Sequence, residues 1–125
     1  MAESVAHYDW GGDGPPLVLL HGLAGYAGEW EAVAVRLRAR GHRVVAMDLR
    51  GHGDSERKPG DTGASAHARD VAGLLDRLGL GPAVLVGQSL GGRVALRTAH
   101  EHPRLVRALA LVEADARPAS DVRPT

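Results

Sequence analysis

A serine at position 89 stands between glycines in the run Gly87-Gln88-Ser89-Leu90-Gly91-Gly92. The pattern G-x-S-x-G is short, but its context is informative. Val84-Leu85-Val86 precede it as an apolar strand, and a helical pattern begins at Leu90. A nucleophilic serine has to project from a sharp strand-to-helix turn, where neighbouring backbone passes close by. Gly87 and Gly91 remove the side chains that would block that approach. The helix beyond Ser89 aims free N–H groups at developing negative charge. Such a serine would attack an acyl carbon. The plain alternative is an ordinary glycine-rich turn.

Serine chemistry needs a base, so the seven histidines matter. His7 precedes the motif-bearing segments and is expected to be exposed. His42 opens a strand at the end opposite the candidate site, and His67 opens a helix. None has a motif around it. Only His100 and His102 follow Ser89. His100 lies 11 residues along one helix, which at about 1.5 Å per residue is ~16 Å away. A general base must come within about 3 Å of its proton.

The elements that would position Ser89 alternate. Val5–Trp10 is a weak strand, and residues 11–16 form a glycine- and proline-rich turn. Leu17–Leu20 is an apolar strand buried on both faces. Residues 29–39 predict a helix with Trp30, Val33, Ala34 and Leu37 on one face, stopped near Gly41. Arg43–Met47 is a strand and residues 48–60 a polar loop. Ser65–Leu78 predicts a helix with the stripe Ala68, Val71, Ala72, Leu75 and Leu78. Ala83–Val86 is a strand, Leu90–Glu101 a helix and Arg107–Val112 the last strand. Short apolar strands alternating with helices predict an α/β fold: three layers, α/β/α, around a mostly parallel sheet.

Two more segments complete a resemblance. His21-Gly22-Leu23-Ala24-Gly25 follows the Leu17–Leu20 strand, and Asp48-Leu49-Arg50-Gly51-His52-Gly53-Asp54-Ser55 matches D-x-R-G-x-G-x-S. With the serine turn, these make the chain resemble the α/β-hydrolase family over roughly residues 5–115. The resemblance implies a truncated hydrolase core, with residues 1–115 as the N-terminal half of the domain. Residues 116–125 are then a disordered tail or the start of a linker or cap. It implies sheet order 2-4-3-5-6 in family numbering, so that Leu17–Leu20 and Ala83–Val86 are neighbours. It makes Ser89 the nucleophile and the backbone N–H groups of Leu23 and Leu90 the oxyanion donors. Asp115, ending the last strand beside Glu113, matches a position where some members place the triad acid. His21 is implied to orient its loop, and His52 lies on a loop at the same sheet edge. Asp48 is read as tying down its own glycine-rich loop. Gln88 departs from the histidine many relatives carry. The family's catalytic histidine follows a later strand, which the sequence does not reach. The chain alone is therefore expected to be catalytically incomplete.

Composition narrows the alternatives. Fifteen basic residues balance fifteen acidic ones, and the arginines are scattered. No basic patch points to nucleic acid. Cysteine is absent, which excludes disulfides and thiolate chemistry. No cofactor is expected: neither glycine-rich run matches a phosphate-binding pattern. His21, His52, Asp54 and Asp115 are too scattered for a metal site. No signal-peptide pattern or membrane-length apolar run is visible, so a cytoplasmic protein without membrane contact is expected. The partner is a small-molecule substrate, once later strands complete the site. Leu23, Tyr26, Trp30 and Leu90 are the local candidates for an apolar lining, with Trp30 read as helix-face core. The competing reading is a degenerate, non-enzymatic module that self-associates through the exposed edge of its last strand.

Overall fold

The computed structural model describes residues 5–22, 25–50 and 63–112. Glu113, Asp115, the 116–125 tail, and Leu23, His52 and Asp54 of the two loops lie outside these residues.

Period-2 alternation builds the two faces of the sheet. β2 (Pro16–Leu20) and β3 (Arg43–Met47) are apolar nearly throughout. Val18, Leu20, Val45 and Met47 turn to one face, where they join Leu85 of β4 (Ala83–Gln88). Leu19, Val44 and Ala46 turn to the other. Each face requires a cover. α2 (Ala64–Leu78) and α3 (Leu90–Glu101) supply Val71, Leu74, Leu75, Val94 and Ala95 to the first. α1 (Glu31–Ala39), preceded by a 3-10 turn at Ala27–Trp30, covers the second. The result is the expected three-layer α/β/α arrangement.

The five strands lie in the order β1-β3-β2-β4-β5. β1 (His7–Gly11) runs antiparallel to β3; the other neighbours are parallel. β2 and β4 pair as expected, with Leu17 opposite Val84 and Leu20 opposite Gly87. β5 (Val106–Val112) pairs only with β4 among the described residues. Its residues are mostly exposed, including Leu111 and Val112. No described helix is long and apolar enough to cross a membrane.

α1 departs from the expected apolar stripe. Ala34 is its one fully buried residue, and Leu37 is half-buried. Val33 is 45% exposed and Val35 52%. Its sequence alternates Ala and Val at a spacing that scatters apolar residues around the helix, so no single face collects them. Packing against the β1–β3 side then leaves the valines outside.

The β1 edge carries an exposed ion pair: Arg43 donates from Nε (3.1 Å) and Nη2 (2.5 Å) to the Asp9 carboxylate. These hydrogen bonds hold the Asp9 carboxyl below its ordinary value of 3.8. A carboxylate with a depressed folded pKa stabilises the protein above its unfolded pKa and loses that contribution as pH falls through the folded value. Asp9→Asn should therefore cost up to about 1 kcal/mol at neutral pH, and the gap from wild type should close as pH is lowered from about 4. Urea unfolding midpoints at neutral and acid pH measure this; a gap that persists in acid would remove the pair as its cause.

Candidate active site

Ser89 sits where β4 ends and α3 begins, exposed at the C-terminal edge of the parallel strands. Its backbone has φ 52° and ψ −113°, and it is the only described non-glycine residue with positive φ. Such a conformation costs an L-residue of order 1–3 kcal/mol and persists only where surroundings over-determine it. Here they do. The Ser89 N–H donates to the Val112 carbonyl at 3.3 Å, and the Ser89 carbonyl accepts from the N–H groups of Gly92 (2.9 Å) and Arg93 (3.2 Å).

The glycines around it are required by contact. A Cβ on Gly87 would fall onto the Gly91 carbonyl and 2.6 Å from the Gly92 nitrogen. One on Gly91 would fall onto the Leu20 carbonyl and 2.7 Å from the His21 oxygen. The start of α3 thus lies directly over the end of β2. Leu90 is its first residue, so its N–H has no partner within the helix. Leu23, the other expected donor, and Asp115 lie outside the described residues, so their geometry relative to Ser89 stands as an expectation.

Beside the turn, His21 is 1% exposed and both its ring nitrogens are engaged. Nδ1 lies 2.7 Å from the Gly22 carbonyl, and Nε2 lies 3.0 Å from the Leu49 N–H. A carbonyl can only accept and a backbone N–H only donate. The ring is therefore the Nδ1–H tautomer, with Nε2 as acceptor. That arrangement leaves no lone pair to take a proton from serine; His21 holds its loop, as the resemblance implied. The Gly22 carbonyl also accepts the Gly25 N–H at 2.9 Å.

Asp48, fully buried at the end of β3, reaches the loop after β2: its Oδ1 accepts the Ala27 N–H at 2.6 Å. Next along the chain, Arg50 makes a two-pronged ion pair with Asp70 of α2, both contacts 2.7 Å and both residues buried. Sequence reasoning missed Arg50, Asp70 and the Ala27 N–H as a group. One signal was present: Asp70 lies four residues before Leu74 and one before Val71, on the buried side of its helix.

The remaining described histidines sit elsewhere. His7 is exposed on edge strand β1, three strand spacings from β4, or ~14 Å. His42 precedes β3 at the opposite edge, and His67 is buried in α2. His100 and His102 lie at the far end of α3. Tyr26 is 47% exposed beside Gly28, and Trp30 packs into the α1-side core. Among the described residues, no three His, Asp or Glu side chains are grouped to hold a metal ion.

With this geometry in place, comparison with known proteins defines the class. Residues 15–124 match the family model of the alpha/beta hydrolase fold, and the chain belongs to that family. It is 42% identical over 100 residues to the sn-1-specific diacylglycerol lipase ABHD11 of Mus musculus, spanning 79% of this chain and 32% of that protein. It is 36% identical over 102 residues to the 2-(acetamidomethylene)succinate hydrolase of Mesorhizobium japonicum, spanning 82% of this chain and 36% of the other. Among solved structures, a thermophilic esterase from Thermogutta terrifontis superposes with a TM-score of 0.86 at 38% identity, covering 94% of this chain and 43% of the esterase. The chain thus spans about a third of the curated relatives and under half of the structural ones.

Relief of strain at Ser89 is measurable. Glycine adopts positive φ without steric cost, but gives back roughly 0.4–1 kcal/mol through the unfolded chain. Against strain of order 1–3 kcal/mol, Ser89→Gly should raise stability by about 1 kcal/mol in chemical denaturation. A loss of stability would show that the serine side chain, rather than backbone strain, dominates at this position.

Proposed function

We propose that this chain carries the nucleophile half of a serine hydrolase. In this reading Ser89 attacks the carbonyl carbon of an ester or a related acyl or carbon–carbon bond, and the N–H groups of Leu23 and Leu90 stabilise the oxyanion. The observation that carries it is the left-handed backbone of Ser89, held at an exposed strand-to-helix turn by glycines that admit no Cβ. The hydrolases and esterases among its relatives support the same chemistry. Asp115 is the candidate acid, and the substrate is a small acyl compound admitted when the rest of the sheet is present. Absence of cysteine agrees with a reducing, cytoplasmic setting.

No histidine among the described residues is placed to act as the base. His21 is committed at both nitrogens, and the other described histidines lie on distant elements. General acid–base transfer contributes typically about 10²–10⁴-fold, while oxyanion binding alone sustains some catalysis above water. A second reading, a non-enzymatic module that self-associates, draws on β5, whose outer edge meets no described strand and whose Leu111 and Val112 are exposed.

Turnover of an activated ester separates the two. The 125-residue chain should show at most trace, Ser89-dependent turnover, abolished in Ser89→Ala. Extension with the later strands of an esterase relative should raise it by about 10²-fold or more. Turnover indifferent to Ser89→Ala in both forms would discard the hydrolase reading; dimers by sedimentation together with an inert Ser89 would favour the second.

A further inference from the structure

We propose that Asp70 is a positioning residue for His21 and Gly22, which lie against Ser89, acting from α2 through Arg50 and Leu49; the inference rests on the serine-hydrolase reading above. The connection is continuous. Both Asp70 carboxylate oxygens accept from Arg50, Oδ2 from Nε and Oδ1 from Nη2, each at 2.7 Å. Arg50 follows Leu49, whose N–H donates to His21 Nε2 at 3.0 Å. The opposite ring nitrogen of His21 donates to the Gly22 carbonyl at 2.7 Å, and that carbonyl also accepts the Gly25 N–H.

Two considerations separate positioning from mere stabilisation. A buried ion pair is weak evidence of net stability, because desolvation offsets its attraction; apolar residues of similar volume often serve as well. What the pair supplies is direction: the planar guanidinium and the carboxylate meet in a two-pronged fork that fixes angle as well as distance. Second, the segment it directs is already held apolarly. Leu49 is fully buried in the same core as Val71, Leu74 and Leu75 of α2. Packing alone sets the depth of residue 49. The fork on residue 50 sets the orientation of the neighbouring peptide, and so the aim of the Leu49 N–H at the imidazole.

The test uses the 125-residue chain with two variants, Asp70→Asn and Arg50→Lys. The first removes the charge and turns a donor toward Arg50; the second keeps charge but loses the fork. Asp9→Asn, at the distant exposed pair, is the control. Three quantities are read: the ¹⁵N shifts of the His21 ring, hydrogen exchange of the Leu49 N–H against that of Val45 within β3, and the rate at which a fluorophosphonate modifies Ser89. In both variants the His21 ¹⁵N pattern should move away from a pure Nδ1–H tautomer. Leu49 exchange should accelerate while Val45 stays protected. Ser89 modification should slow by about ten- to a hundredfold, as expected when a reacting group is displaced by a fraction of an ångström to one ångström. Asp9→Asn should change none of these. Unchanged His21 shifts and Leu49 protection in a folded variant would overturn the proposal. Loss of protection throughout the sheet in both variants would also overturn it, making the pair a stabilising clamp only. If wild-type Ser89 does not react at all, the hydrolase reading falls, and the His21 and Leu49 signals alone still decide what Asp70 does.

Discussion

The contact between Gly91 and the end of β2 is the constraint on which the rest of the site depends. With the Leu20 and His21 carbonyls this close, α3 can start only where its second residue has no side chain. That approach places the first turn of α3 over β2, leaves Ser89 with a left-handed backbone, and brings His21 alongside the turn. Strand pairing follows the same geometry. β2 and β4 must be parallel neighbours for the two strand ends to meet, and Leu20 stands opposite Gly87.

Polar groups at this edge are buried and used locally. His21, Asp48, Arg50 and Asp70 are each almost inaccessible, yet each meets a partner from another segment. Burial of unpaired polar groups would cost several kcal/mol each, so these pairings are conditions of the fold as well as devices of the site. They also divide the labour. β2 and β3 end in residues that hold loops, while β4 ends in the residue with an exposed hydroxyl. His21 illustrates the difference: its type suits general base catalysis, but its two hydrogen bonds assign it to the loop.

The sheet is asymmetric in a way that matches the chain's share of its relatives. β2 and β3 are buried almost completely, whereas β5 is exposed along much of its length. Relatives more than twice as long share this half of the architecture. A parallel strand is ordinarily covered on both faces, and β5 reaches that condition only in part, where its Val106 and Leu109 pack against the core.

Features with a local cause are legible in the sequence. Apolar runs declared the strands, and 3.6-residue spacing declared α2 and α3 to within a residue at their starts. The glycines around Ser89 declared a turn that side chains could not occupy. Each depends on residues close together along the chain, whose sterics act over a few bonds. α1 was less legible because its Ala–Val alternation points no single face inward; the sheet chose which residues to bury. The polar pairings were not legible at all. Arg50 and Asp70 are 20 residues apart, Leu49 and His21 28, and Ala27 and Asp48 21. Nothing local links such residues: they meet because β3 lies beside β2 and α2 crosses the face that both share. The sequence by itself determined the strands, the helices and the turn that bears Ser89. Only the tertiary structure decided that His21 is a buried support and that Asp70 on α2 pairs with Arg50 beyond the end of β3, because a hydrogen bond exists only between groups that packing has already brought within about 3 Å.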